Sequence, residues 1–183
     1  MLDRAVEVFW AHGYDATSMS DLRRAMGIGR QSLYDTFGDK KQVFSEALQR
    51  YRRWQAEGLA EALPPGSGLQ AVREHLRGAV LSVTSQSPRR GCMLIRTCTQ
   101  VAPADPELGE YAHGGMQALE QAYVGALKQA RAEGDLRPDV DVEVAARSLA
   151  SQAAGLGVLA QGGADVDDLL PIVDCAIDGL RAR

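Results

Sequence analysis

The stretch LRRAMGIGRQSLYDTF, Leu22–Phe37, sets two glycines two residues apart between one short apolar-periodic run and another. Gly27 can take the positive φ of a tight turn, which residues with a Cβ resist. Ile28 is expected to fill the angle between the flanking helices. Two short helices joined by such a turn, the second polar on its outer face, form a helix-turn-helix pattern. Leu33 and Phe37 lie four residues apart, so they share one helical face and hold the second helix down. Arg30, Gln31, Ser32, Tyr34, Asp35 and Thr36 are left on the remaining surface. Arg and Gln can pair bidentately with base edges in a major groove, while Ser, Thr and Tyr hydroxyls suit phosphate oxygens. The same turn also joins helices in proteins that touch no nucleic acid, so at this point a purely structural role stays open.

Outward from this stretch the periodicity is helical nearly everywhere. Leu2, Val6 and Phe9 mark a first helix that ends at Gly13. Ser18 followed three residues later by Asp21 reads as a capping box for a second helix with Met19, Leu22 and Ala25 on its apolar face. A fourth helix opens after Gly38 and Asp39, with Val43, Phe44, Ala47, Leu48 and Tyr51 as its stripe. Breaks fall at PPGSG (64–68), SPRRG (87–91), APADPE (102–107), EGDLRPDVD (133–141) and GGAD (162–165). A long helix carries Met116, Leu119, Tyr123, Leu127 and Ala130. Two more span Val142 to about Gln161 and Asp167 to about Arg181, the last striped by Leu169, Val173, Ile177 and Leu180. The expectation is an all-α chain of about nine helices.

Composition narrows the function classes. The 183 residues are 45% hydrophobic and 24% charged, as in ordinary soluble proteins. No signal peptide is visible, and the least polar stretch, Ser148–Ala164, falls short of the roughly 20 strongly apolar residues of a membrane span. A cytoplasmic protein without a membrane partner is expected. The cysteines Cys92, Cys98 and Cys175 form no metal-ligand pattern, and His12, His75 and His113 are scattered singly. Neither a metal nor a cofactor is expected. The net charge is −4, yet residues 1–55 carry +2 and the remainder −6, a split that suits a nucleic-acid contact confined to the first third.

Residues 2–48, LDRAVEVFWAHGYDATSMSDLRRAMGIGRQSLYDTFGDKKQVFSEAL, resemble the DNA-binding region of the tetracycline-repressor (TetR) family of bacterial transcriptional regulators. The likeness runs without a gap through the GY-x-A-T-S entry to the second helix, the AMGIGRQSLYDTF turn and recognition helix, and the GDK that opens the fourth. It implies a helix-turn-helix DNA-binding domain over residues 1–50, then a larger helical effector-binding and dimerisation domain over 51–183. Arg30, Gln31 and Ser32 would lie at the groove; Ser18 would cap the second helix and touch phosphate; Tyr34, Thr36 and Lys40 would grip the backbone. Asp35 stays outside this set. The partner would be a palindromic double-stranded operator, bound by a homodimer and released by a small-molecule effector. Family members usually carry residues, often basic, before the first helix, whereas Leu2 here follows Met1 directly; a missing arm or a start site placed late would each weaken the first helix's cap and lose arm contacts, and both readings stay open.

In the family the last two helices typically build the dimer. Here ARSLASQAAGLGVLAQ (146–161) offers small residues for close approach, with Leu149, Leu156 and Leu159 for burial; packing within their own domain is the alternative. Trp54, Cys92, Met93, Tyr111, Met116 and Tyr123 are candidates to line an effector cavity, though an ordinary core uses the same residue types. Cys92 follows Arg89, Arg90 and Gly91 at an expected helix start, where positive charge favours thiolate. The RGC opening resembles a branch of the family with oxidant- or electrophile-sensing members, with Cys98 as a resolving partner. Two other classes stay open on the residues: a helical ligand-binding scaffold that has lost DNA binding, and an enzyme with Cys92 as nucleophile.

Overall fold

The computed structural model describes residues 1–182. Helix α1 (Leu2–His12) turns Ala5, Val6 and Phe9 inward and ends where the Gly13 N–H donates to the Phe9 carbonyl at 2.8 Å. Helices α2 (Met19–Met26) and α3 (Arg30–Phe37) follow, then α4 (Lys40–Ala62). The start of α4 is capped reciprocally: Asp39 N–H donates to Gln42 Oε1, and Gln42 N–H donates to Asp39 Oδ1, both at 2.9 Å. Next come α5 (Leu69–Thr84) and the short α6 (Met93–Arg96), which runs into one π-helical turn over Thr97–Val101. Helices α7 (Pro106–Ala132), α8 (Val142–Gln161) and α9 (Val166–Asp178) complete the chain. Among the described residues there are nine α-helices, and the only β-pairing is one isolated antiparallel bridge between Leu136 and Arg181. The all-α expectation is met. No helix among them is long and apolar enough to cross a membrane.

The chain forms two compact units, and neither is continuous in sequence. The first joins Met1–Gln55 to Cys92–Gly115. Its core is aromatic: Phe9 meets Phe44 edge-on at 4.8 Å between centroids, and Tyr14 meets Phe44 at 4.9 Å. Val6, Leu22, Leu33, Val43 and Leu48 are fully enclosed beside them. The returning segment is bound by polar contacts: Arg96 Nη1 donates to the Trp10 carbonyl at 3.1 Å, close to the C-terminal end of α1. Lys41 meets Asp105 and Glu107 at 2.9 Å each. These carboxylates, Asp105 foremost, hold the Lys41 ammonium above its ordinary range.

The second unit joins residues 56–91 to those from 116 on. Leu69, Val72, Leu76 and Val80 of α5 face the core stripes of α8 and α9, where Leu169, Val173 and Ile177 recur every four residues. Arg73 and Arg77 of α5 both reach Asp174 of α9, and Arg73 also reaches Asp178. Two of the three leucines expected at a dimer surface are already spent here: Leu149 and Leu156 are buried, and only Leu159 is open to solvent. Helix α8 is small and apolar around most of its circumference, so its periodicity alone favours no side. Its exposed residues include Val144, Ser148, Ser151, Gly155, Val158 and Leu159 beside the charged Glu143 and Arg147; on α9 Ile172 and Cys175 are exposed, with Gly179 just past its end.

One polar pair lies inside this otherwise apolar core. The hydroxyl of Tyr123, fully buried on α7, is 2.9 Å from Nδ1 of His75 on α5. Burial lowers the His75 pKa below 6.5. The unfolded chain therefore takes up a proton near pH 6.5 that the folded one resists, so stability falls as pH drops below that value. Urea denaturation at pH 7.5 and pH 5.5 should show wild type losing more stability on acidification than His75→Gln, a neutral variant that can still bond Tyr123.

Candidate nucleic-acid interface

The geometry of α2 and α3 is set by local chemistry. Ser18 Oγ accepts from the Asp21 N–H at 3.1 Å, and Asp21 Oδ2 accepts from the Ser18 N–H at 3.1 Å and from the Ser18 hydroxyl at 2.6 Å. This is the expected capping box, and it uses the hydroxyl proton that a phosphate contact would need. Just before it, Thr17 is buried and its Oγ1 donates to the Gly13 carbonyl at 2.7 Å. At the other end Gly27 adopts φ 71° and ψ 34°, and its N–H and that of Ile28 both return to the Arg23 carbonyl. A side chain at Gly27 would be strained by that backbone alone. The chain thus leaves α2 by a left-handed cap and enters α3 two residues later.

Helix α3 buries one residue, Leu33. Phe37 is half-buried, while Arg30, Gln31, Ser32, Tyr34, Asp35 and Thr36 are all exposed, Tyr34 by 43%. Two i,i+4 pairs order this face. The Arg30 guanidinium lies 5.8 Å from the centre of the Tyr34 ring, and Gln31 Nε2 donates to Asp35 Oδ1 at 2.8 Å. Asp35, left out on sequence grounds, is therefore part of the arrangement; its i,i+4 spacing from Gln31 was the available signal. Lys40 is half-buried: its ammonium donates to the Tyr14 carbonyl at 3.2 Å and sits 4.4 Å from the centre of the Tyr14 ring. Arg96 and Lys40 together bind carbonyls on either side of Gly13, where α1 ends.

The six residues expected at an effector site fall into different settings. Trp54, Cys92, Met93 and Tyr111 belong to the first unit, Met116 and Tyr123 to the second. Met93 is buried, and its N–H donates to the Tyr51 hydroxyl at 3.4 Å. Trp54 lies under Arg50 and Tyr111 under Arg52, at 5.2 and 5.5 Å from the ring centres. Cys92 is the N-cap residue of α6 and half-buried. Burial first, and the neighbouring Cys92 second, push the Tyr51 hydroxyl above the ordinary tyrosine range, and that hydroxyl also accepts from Gln55 Nε2 at 2.7 Å. Arg89 is committed elsewhere: its Nη1 donates to the carbonyls of Ala160 and Ala164 at the end of α8, at 3.0 and 2.8 Å.

Comparison with known proteins matches both regions of the chain. The model for bacterial regulatory proteins of the tetR family covers residues 1–47, and that for a tetracyclin repressor-like C-terminal domain covers 68–168. The HTH-type transcriptional regulator YezE of Bacillus subtilis (strain 168) is 35% identical over 182 residues, 98% of this chain and 94% of its own. The HTH-type transcriptional repressor ComR of Escherichia coli (strain K12) is 30% identical, over 93% of this chain and 82% of its own. Among solved structures, a cysteine mutant of the TetR family regulator CifR, complexed with 26-bp double-strand operator DNA, superposes with a TM-score of 0.82. It is 30% identical and covers 98% of this chain and 94% of its own.

The cap at Ser18 has a measurable signature. Hydrogen bonds from Ser18, its side chain foremost, hold the Asp21 carboxyl below its usual 3.8. A depressed folded pKa contributes stability above the ordinary value that is lost as pH falls through the lowered one. Ser18→Ala should cost about 1 kcal/mol at pH 7, the usual worth of an N-cap. In thermal denaturation the gap from wild type should narrow at pH 3.

Proposed function

The chain belongs to the tetR family of bacterial transcriptional regulators, and from that premise we propose that it is a homodimeric repressor which reads a palindromic operator through α3. The observation that carries this reading is the exposed face of α3: Arg30, Gln31, Ser32, Tyr34 and Thr36 stand around the one buried anchor, Leu33. Arg30 and Gln31 supply base-edge contacts, with Ser32 beside them at the groove. Tyr34 and Thr36 supply hydroxyls for phosphate. Lys40 gives one N–H to Tyr14 and keeps two for the backbone of the DNA. At Ser18 the hydroxyl is held by Asp21, so the phosphate contact there runs through the N–H groups of Met19 and Ser20, the first-turn donors outside the capping box. Residues 1–50 thus serve as the reading domain and 51–183 as the effector-binding and dimerisation domain.

Two-fold pairing through α8 and α9 suits their exposed small and apolar stripe, from Val144 to Leu159 and from Ile172 to Gly179. The effector is a small molecule, or an oxidant or electrophile acting at Cys92; the candidate contacts are Trp54, Met93 and Tyr111 in the first unit, and separately Met116 and Tyr123 in the second. Effector binding releases DNA only if it favours a dimer geometry that fits the operator less well.

Mobility shift on the intergenic DNA upstream of the gene, at two salt concentrations, tests the reading. Wild type should give a salt-sensitive shift that survives excess unrelated DNA. Tyr34→Ala should weaken binding across all sequences, and Arg30→Ala should cost about 1–3 kcal/mol and relax selectivity at one position. Binding without sequence preference would overturn the repressor reading. In sedimentation, Val158→Arg should shift the protein toward monomer.

A further inference from the structure

We infer that Asp35 is a positioning residue that decides which base pair Gln31 reads, and that this pair is A·T. The inference rests on α3 entering the major groove, as proposed above. Gln31 and Asp35 are both exposed, one helical turn apart, and joined at 2.8 Å. Among the described residues no cation pairs with Asp35, so on a face that meets phosphates its negative charge works against affinity. What Asp35 does there is hold the amide of Gln31.

The direction of that bond follows from chemistry. A carboxylate has no hydrogen to give, so only the N–H side of the amide can face it. The amide is thereby turned one way, with Oε1 and its second N–H left for DNA. An acceptor beside a donor complements adenine, which shows N6–H and N7 in the major groove. Guanine shows two acceptors, O6 and N7, and would set one of them against Oε1. Without the carboxylate the amide can rotate and offer its N–H groups to guanine as well. The preference for A·T is therefore held by Asp35, although Gln31 makes the contact.

Selection from a randomised half-site, followed by competition binding, tests this with four proteins. Wild type should prefer A·T over G·C at one position of each half-site by on the order of tenfold, the worth of one good base contact. Asp35→Asn is nearly isosteric but can face Gln31 with either its oxygen or its nitrogen, so the preference at that position should disappear while the others persist. Asp35→Glu keeps an acceptor-only head and should retain it. Gln31→Ala should lose it even with Asp35 present. A charge-only role for Asp35 predicts that Asp35→Asn tightens binding to all sequences equally and leaves the preference intact. That result overturns the inference, as does loss of preference at every position at once. A wild type without any sequence preference would fail at the earlier step and remove the repressor reading itself.

Discussion

Eight residues of α3 hang on the burial of Leu33. A helix of two turns is too short to persist on its own, because nucleation costs more than so few hydrogen bonds return. Its stability has to come from packing, and Leu33, with half-buried Phe37, supplies nearly all the contact the helix has. That frugality has a functional side. With one face committed to one leucine, the rest of the circumference is free to carry polar side chains at no cost to the core. The caps on either side matter for the same reason: Gly27 sets the entry angle, and the Asp39–Gln42 box starts the next helix within two residues.

What could be read from the sequence was what is local. The Ser18–Asp21 box, the left-handed Gly27, the exposed residues of α3 and the stripe of α4 all follow from spacings of three or four residues. The destinations of long cations did not. Lys40 gives one N–H to the Tyr14 carbonyl, a contact that residue spacing does not announce, and Arg96 reaches back to Trp10 across most of the first hundred residues. Such contacts depend on tertiary placement, to which residue spacing is blind. Asp35 stands outside the set read from the sequence, and the bond to Gln31 gives it a task.

Helix α8 failed to be legible for another reason. Its alanines, glycines and leucines make nearly every side apolar or small, so no period separates inside from outside. The outcome turns on which neighbours arrive: α5 and α9 take the side with Leu149 and Leu156, and the side with Val158 and Leu159 remains open. Ion pairs from Arg73 and Arg77 to Asp174 then fix how α9 is turned about its own axis.

The return of residues 92–115 to the first unit bears on how such regulators can be recombined. Suppose operator specificity were exchanged between relatives by a single cut after α4. Here that cut would divide a single folded body. The grafted piece would leave behind Asp105 and Glu107, which hold Lys41, the Met93 N–H that meets Tyr51, and the arginine that grips the end of α1. A working chimera has to carry two segments, with the second chosen to suit the first.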